Sequence, residues 1–224
     1  PILGTLVQRL GRERAQLRAT WLPGSSRRSL DLLGEGLVHV AGAHFSAAAG
    51  GEDNVGAVRR RLPDRRVLIV NLTRWRQGFV VPAGNPLGIT SAGDLLRTDL
   101  RLAMREEGAA AHKLLTSLLE RERAERMLLR GPSAAGHAEV AQLVRSGAAD
   151  VGVAIEGVAI AAGLDFVPLT EERFDLLVPA EIAEWAPVAR LLDAVGSAGF
   201  RAEIAQLPGY DQEITGHVTT LEAA

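Results

Sequence analysis

The stretch VLIVNLTRWRQGFVVPAGNPLGI, residues 67–89, decides the fold expected for this chain. It opens with the apolar run 67–70, which has the length of a buried strand. A polar and cationic segment follows, and a second apolar run, 78–81, ends at Pro82. The pattern predicts two strands in succession with no helix between them. We interpret this stretch as the place where the chain crosses from one α/β lobe to another.

The residues after the crossing predict a turn and then a helix start. Gly84, Asn85 and Pro86 provide the turn. Ser91 and Asp94 have the spacing of a capping box, with Ser91 as the N-cap. A similar apolar stretch at 166–178 is expected to be the return crossing. Two crossings imply a hinge between two lobes, and such a hinge indicates a protein that closes on a ligand.

Composition narrows the class of protein. With 224 residues the chain can bury a sizeable core, as one large domain or as two lobes of about 100 residues each. A formal net charge of −2 gives no excess of cations for binding a polyanion. Cysteine is absent, which excludes disulfides, thiolate metal sites and a thiol nucleophile. Lys113 is the only lysine, so nearly every cation is arginine.

The sequence also bears on localisation. No apolar run approaches the roughly 18 residues of a membrane-spanning helix. The first residues lack the apolar core of a secretory signal. Because residue 1 is proline, we expect a piece of a longer, cytoplasmic protein. Export, with a signal peptide already removed, stays open.

Strand and helix signals alternate along the chain, which is typical of doubly wound α/β lobes. The predicted strands are 17–22, 37–43, 99–104, 151–155, 166–169, 174–178 and one that is entered at 199–201 and ends near 209–211. The predicted helices are 27–33, 55–62, 94–97, 111–124, 138–146, 156–162 and 188–197. In residues 1–14, an apolar stripe that includes Leu3, Leu6 and Leu10 predicts a further helix. That helix either ends a linker from an N-terminal domain or caps this domain, and its stripe hints at a homodimer.

Two features of the first lobe suggest ligand contacts. Ser25 and Ser26 precede a helix, where free backbone N–H groups and hydroxyls can bind an anion. The alternative is that one of these serines only caps the helix. His44 follows a strand end, where pockets of α/β sheets form. A lone histidine is nevertheless more often a structural hydrogen-bonding group.

Several segments together resemble one known family. They are Gly24–Ser26 before a helix, HVAGAHF (39–45), RWRQGFVVPAGNP (74–86), GAADVGVAIEGVAIAAGLDFVPLTEERFDLLVP (147–179) and GYDQEITG (209–216). The chain resembles, over residues 15–218, the periplasmic-binding-protein-like domain of molybdate-responsive helix-turn-helix regulators and of some molybdopterin-biosynthesis fusion proteins. This resemblance implies a type II binding-protein fold, an oxyanion-sized ligand between two lobes and an output domain elsewhere in the polypeptide.

The chain departs from that family at one loop. Related domains begin the long helix of the second lobe with a Gly-Ser-Gly-Thr-Arg-like loop whose hydroxyls and guanidinium hold the anion. The corresponding segment here is GAAAH, residues 108–112, without serine, threonine or arginine. Backbone N–H groups there can still bind an anion, and Arg105, His112 or Lys113 could supply charge. Either the ligand differs, or this lobe has lost binding.

We therefore expect an α/β, type II periplasmic-binding-protein-like fold with two doubly wound lobes joined by a two-strand hinge. Residues 1–14 are expected to form the linker or capping helix. Lobe 1 would comprise 15–79 and 175–224, and lobe 2 would comprise 80–174.

The leading functional hypothesis is the ligand-sensing domain of a transcriptional regulator or of a molybdopterin-related fusion protein. Its ligand would be molybdate, another oxyanion or a small polar metabolite in the cleft between the lobes, and its DNA-binding domain would lie outside this chain. The candidate ligand-binding residues are Ser25, Ser26, His44, Arg76, Gly108, Ala109 and Glu156. Trp75, Arg76 and Gln77 either contact ligand or pack the crossing.

Glu156 is ambivalent, because its charge repels an anion unless a cation or amine accompanies it. It would otherwise be a surface or capping residue. The alternative function is a solute-binding protein of an ABC transporter for molybdate- or tungstate-like anions. No metal-ligand cluster, nucleophile elbow or phosphate loop is found in the sequence, so we expect neither catalysis nor a cofactor or metal.

Overall fold

The computed structural model describes residues 2–13, 19–45, 53–97, 99–107, 109–122 and 130–223. These residues fall into two compact units. Unit 1 takes in the described residues of Pro1–Ser46, Glu52–Arg74 and Arg173–Ala224, and unit 2 takes in those of Trp75–Glu172. Within the described residues, no helix is both long and apolar enough to cross a membrane.

Unit 1 is a sheet covered by helices. Its helices are α1 (Ile2–Glu13), α2 (Ser26–Gly34), α3 (Asn54–Arg61), α7 (Ala186–Gly196) and α8 (Ala198–Ala205), with a 3₁₀ turn at Ala180–Ile182. Its strands are β1 (Ala41–Ala43), the first part of β2 (Val67–Val81), the last part of β6 (Asp165–Pro179), β7 (Tyr210–Asp211) and β8 (Val218–Leu221). The spatial order is β1–β6–β2, with β7 and β8 also pairing with β2. The pairs β1–β6 and β2–β8 are antiparallel.

Unit 2 is an α/β layer structure with helices on both faces of its sheet. It contains a 3₁₀ helix (Ala92–Leu96), β3 (Leu102–Arg105), α4 (Ala110–Arg121), β4 (Ser133–Ala134), α5 (His137–Arg145), β5 (Val151–Ile155) and α6 (Glu156–Ala162). The order β2–β5–β3–β4 combines one antiparallel pair, β2–β5, with two parallel pairs. The expected α/β class is therefore confirmed.

The two faces of this sheet carry separate apolar cores. Phe79 and Val153, which are paired across β2 and β5, belong to the core that contains the buried residues of α4. Val80 and Ala154 belong to the core on the other face, with buried residues of α5 and α6. This alternation follows from the two-residue period of a strand, which sends successive side chains to opposite faces.

Two predictions about the crossings need correction. Residues 67–81 form one continuous strand rather than two, and so do residues 165–179. Each of these strands passes from one unit to the other. The polar residues Asn71 and Thr73, which looked like a break in the strand, are buried and hydrogen-bonded. A polar segment can therefore continue a buried strand, because its side chains form hydrogen bonds with residues that are distant in sequence.

Other predictions fail for local reasons. Residues 198–205 form α8 instead of a strand, because Ser197 caps the segment by accepting from Phe200 N and because Phe200 and Ile204 bury one helical face. The described part of the strand expected at 17–22, residues 19–22, is irregular, and residues 17 and 18 lie outside the described part. Only Ala41–Ala43 of the strand expected at 37–43 is extended. Strand β8 was not predicted.

The capping box at Ser91 is confirmed. The Asp94 carboxylate accepts hydrogen bonds from the backbone N–H groups of Thr90 at 2.9 Å and Ser91 at 2.8 Å. The bond from Thr90 N, then that from the Ser91 hydroxyl and then that from Ser91 N, lower the pKa of Asp94 to about 2. The element that follows is a 3₁₀ helix, Ala92–Leu96, rather than an α-helix.

A buried carboxylate organises the polar interior of unit 1. Asp175, on β6, is 1% exposed. It accepts hydrogen bonds from Asn54 Nδ2 at 2.7 Å, Asn71 Nδ2 at 2.8 Å and Arg173 Nη2 at 3.2 Å. These donors lie on α3, β2 and β6, so one side chain joins three elements. Charge-assisted bonds of this kind are stronger than neutral ones.

Replacing Asp175 by alanine should destabilise unit 1 strongly. The substitution leaves the buried amide donors of Asn54 and Asn71 without their acceptor, and breaking such a network costs about 3–5 kcal/mol. Glu222→Ala, which removes the exposed partner of Arg66, is the control and should cost less than about 1 kcal/mol. Urea denaturation measures both. Equal losses would contradict the structural role given to Asp175.

A close backbone approach should make Gly78 intolerant of substitution. A Cβ at this position would lie 2.1 Å from the Val167 carbonyl oxygen. We expect Gly78→Ala to cost about 2 kcal/mol or more in unfolding free energy. Gly4→Ala, in open space on helix α1, should instead stabilise by about 0.5–1 kcal/mol. Thermal unfolding of the two variants tests the contrast, and a stable Gly78→Ala protein would refute the close contact.

Candidate functional site

The candidate residues of unit 1 meet at the N-terminus of α2. The Ser25 hydroxyl oxygen accepts from Arg28 N at 3.3 Å, and the Ser26 hydroxyl oxygen accepts from His44 N at 3.0 Å. A hydroxyl that accepts in this way keeps its own proton for donation to a further group. The first turn contains Arg27 and no acidic residue, so the helix dipole and side-chain charge have the same sign there. The local chemistry favours an anion.

The backbone on either side of His44 is fixed by Asn54. The Asn54 side chain accepts from Phe45 N at 2.6 Å and donates to Ala43 O at 3.2 Å. The His44 ring meets the Phe174 ring edge-on, with centroids 6.0 Å apart. His44 therefore lies directly after β1, as predicted, in a segment that is held by backbone hydrogen bonds and by a ring contact.

In unit 2 the candidates gather at one edge of the sheet. Strands β3 and β5 are parallel, so their carboxyl ends lie at the same edge. Helix α6 begins directly after β5, and α4, which begins at Ala110, is the next helix after β3. We call this edge, with residues 105–107, 109–110, 155 and 156, the unit 2 edge. Ala109 is the N-cap of α4 and makes no side-chain capping bond. Gly108, which was also predicted to bind ligand, lies outside the described residues.

Two of the three groups proposed to compensate for the missing loop hydroxyls, Arg105 and His112, have other contacts. Arg105 forms two hydrogen bonds with Glu106, at 2.8 and 2.7 Å. The hydrogen bond from Arg105 holds the pKa of Glu106 below its usual value. His112 Nδ1 lies 3.0 Å from the Arg105 carbonyl oxygen. Lys113, in the second turn of α4, is exposed.

Two candidates, Arg76 on β2 and Glu156 at the start of α6, pair with each other. The Arg76 guanidinium binds both carboxylate oxygens of Glu156, with Nε to Oε2 at 2.9 Å and a close contact between Nη2 and Oε1. The Arg76 side chain is 53% exposed and that of Glu156 is 13% exposed. The pair explains how Glu156 can lie at an edge where an anion was expected, since Arg76 compensates its charge.

Gln77 was considered with the crossing but not included among the predicted binding residues. Its side chain is completely buried, and neither Nε2 nor Oε1 has a hydrogen-bond partner among the described residues. Gln77 pairs with Ile155 across β2 and β5 and so lies at the unit 2 edge. No local signal in the sequence distinguishes it from its polar neighbours Asn71 and Thr73.

The described residues contain no group of three or more His, Asp or Glu side chains placed to hold a metal ion. The arrangement around α2 and at the unit 2 edge consists of hydroxyls, helix N-termini, an ion pair and a buried amide. These groups are suited to binding a small polar molecule.

Comparison with known proteins identifies the family and the fold. Residues 7–196 match the family profile of the "PBP superfamily domain". Among solved structures, a substrate-binding protein from Clostridium perfringens with bound phosphate superposes with a TM-score of 0.68 at 12% identity, covering 99% of this chain and 95% of that one. The effector-binding domain of a BenM variant superposes with a TM-score of 0.60 at 13% identity, covering 94% and 92%. At these identities the likeness concerns the fold.

One curated relative aligns over most of the chain. The uncharacterized protein YvgK of Bacillus subtilis (strain 168) is 29% identical over 198 residues, which is 87% of this chain. The aligned part covers 63% of that relative, so the chain spans less than two thirds of its length.

The Arg76–Glu156 pair should contribute little to stability. The arginine is half exposed, and such pairs give coupling energies of about 0.2–1 kcal/mol. A double-mutant cycle with Arg76→Met and Glu156→Gln, followed by urea denaturation, measures this coupling. It should shrink further in high salt, because salt screens exposed charges. A coupling above about 2 kcal/mol would show instead that the pair is a structural element of unit 2.

Proposed function

The chain belongs to the PBP superfamily, and from that membership we propose that it is a ligand-sensing domain whose ligand is an oxyanion or a small polar metabolite. The ligand-binding part of this statement follows from the family. The sensing role, the ligand class and the binding residues are the proposal.

The observation that carries the proposal is the N-terminus of α2. Ser25 and Ser26 keep two hydroxyl protons for a ligand, the first turn has no acidic residue, and Arg27 adds positive charge. Backbone N–H groups of a first helical turn have no acceptor within the helix. Together these groups form a donor set for an anionic ligand group. His44, bonded through its backbone to Ser26, completes the proposed contacts in unit 1.

In unit 2 the proposed contacts are Gly108, Ala109, which is the N-cap of α4, and the pair Arg76 and Glu156. Because α4 has no capping side chain, its backbone N–H groups are the donors proposed there. The paired charges leave little net positive charge for a divalent oxyanion such as molybdate. This favours a polar metabolite, with molybdate and tungstate as the inorganic alternatives.

Sensor and transport functions differ in location and partner. We propose a cytoplasmic domain whose DNA-binding module lies outside this chain and whose regulator acts as a homodimer, in a transcriptional or molybdopterin-related context. The effector-binding domain of the BenM variant provides a precedent for this fold in an effector-binding protein. The second candidate, a solute-binding protein of an ABC transporter, is favoured by the phosphate-bound neighbour. A helix-turn-helix segment encoded upstream would support the sensor, and an encoded signal peptide would support the transporter protein.

A ligand titration tests the proposed binding. Thermal unfolding is recorded with molybdate, tungstate, sulfate, phosphate and a panel of organic acids, and a ligand at about 100 times its Kd should stabilise the protein by roughly 2.7 kcal/mol. In the double variant Ser25→Ala/Ser26→Ala, this ligand-induced gain should be lost. The variant without ligand is the reference, because Ser26→Ala also removes the acceptor of His44 N.

Ser146→Ala is the matched control. Its hydroxyl is exposed at the end of α5 and donates only to Leu143 O, so the ligand-induced gain should be unchanged. The proposal is wrong if no compound stabilises the protein, or if the double serine variant keeps the full gain.

A further inference from the structure

The buried side chain of Gln77 adds a specificity element to the unit 2 edge. We propose that Gln77 contacts the bound ligand and selects a ligand group that both donates and accepts a hydrogen bond. This inference rests on the proposed function, since it requires a ligand at this edge. It assigns to that ligand a chemical class, an anion that also carries an O–H group.

The buried amide of Gln77 lowers the stability of the ligand-free protein. Gln77 is 0% exposed, and its Nε2 and Oε1 have no partner among the described residues. Buried polar atoms are nearly always paired, and leaving one without a partner costs about 1–3 kcal/mol. Asn71, a buried amide on the same strand, has Asp175 as its partner. Gln77 therefore has an unused donor and an unused acceptor at a position where stability alone would favour an apolar residue.

The strand pairing shows to which face of the sheet the Gln77 side chain points. Across the antiparallel pair, Gln77 is opposite Ile155 and Phe79 is opposite Val153, and residues two apart on a strand share a face. Phe79 and Val153 belong to the core that contains Ala111, Leu114 and Leu115 of α4. Gln77 consequently lies on the face of the sheet that α4 covers.

Along β2, Gln77 lies beside the carboxyl end of β5. Ile155 is the last residue of β5, so Gln77 is level with the carboxyl ends of β5 and of its parallel neighbour β3. Helix α4 begins at this edge, with Ala109 as an N-cap that has no side-chain capping bond. The amide and the N-terminus of a 12-residue helix thus share one face and one edge. They are independent observations that favour the same place for a polar ligand.

The ligand class follows from the donors and acceptors. A primary amide offers N–H donors and a carbonyl acceptor. Sulfate and molybdate have no proton at neutral pH, so they can accept from Nε2 but leave Oε1 without a donor. Monohydrogen phosphate or a hydroxycarboxylic acid supplies both an acceptor oxygen and an O–H. A site that pairs both atoms discriminates against a ligand that lacks one of them, because the unpaired atom remains buried.

Isothermal titration of the complete chain with phosphate, malate, sulfate and molybdate tests the inference. Wild-type protein should bind phosphate or malate at least tenfold more tightly than sulfate and molybdate. Gln77→Met, of similar volume, should lose that preference through a tenfold or greater weakening for the O–H-bearing ligand. Its affinity for sulfate should weaken less, because sulfate loses only the hydrogen bond from Nε2.

The stability of the ligand-free variant separates a binding role from a structural one. Gln77→Met should unfold at the same temperature as wild type or higher, since it removes an unpaired buried amide. Asn71→Leu is the matched control, because it removes a buried amide that is paired. It should unfold at a lower temperature without changing the preference among ligands.

The outcomes separate the two proposals. If Gln77→Met keeps the wild-type preference, Gln77 does not select the ligand, and this inference is overturned. Should that happen while Ser25→Ala/Ser26→Ala still abolishes binding, the proposed function stands alone. If wild type binds sulfate as tightly as phosphate and malate, the inference is likewise overturned. If no compound binds, both proposals fall.

If Gln77→Met does not fold, a measurement on wild-type protein tests the same inference. In wild-type protein, the side-chain Nε2 resonances of Gln77 should shift on addition of phosphate or malate. Unchanged resonances at saturation would overturn the inference.

Discussion

The buried carboxylate of Asp175 is the interaction on which unit 1 most depends. It lies inside the sheet, yet its donors come from a helix start, a neighbouring strand and its own strand. Burying a charge is costly unless hydrogen bonds replace the lost water. Asn54 is the link to the candidate site, because the same amide group that donates to Asp175 also holds the backbone on both sides of His44. A buried charge in the sheet thereby helps to fix the segment that carries His44.

Much of the fold could be predicted from the sequence where local pattern is sufficient. Strand β5 and helix α6 coincide with the predicted residues 151–155 and 156–162, because an apolar run of strand length is followed there by a helix. The crossing strands were predicted in two pieces each, since their polar segments find partners that are far away in sequence. Asn71 and Asp175, for example, are 104 positions apart. Periodicity contains no information about such pairs.

In the candidate site, too, local sequence pattern predicts some residues but not the contacts between residues that are distant in sequence. Serines before a helix and a histidine after a strand are local patterns, and the structure places Ser26 and His44 in contact. That Arg76 and Glu156 neutralise each other depends on the register between β2 and β5, which the sequence does not contain. Gln77 and Asn71 are both buried amides on β2, and only the structure shows that Asn71 has a hydrogen-bond partner and Gln77 has none among the described residues. The binding roles of all these residues remain predictions that ligand titration can test.

The single lysine of this chain has a practical consequence. Lys113 is exposed and lies one turn into α4, close in sequence to Ala109 and to the start of the helix. An amine-reactive fluorophore can therefore modify only one side chain, without engineered cysteines. A dye at this position would report on its surroundings beside the first turn of α4. Its emission could be followed in real time and at low protein concentration, in conditions where calorimetry consumes too much material.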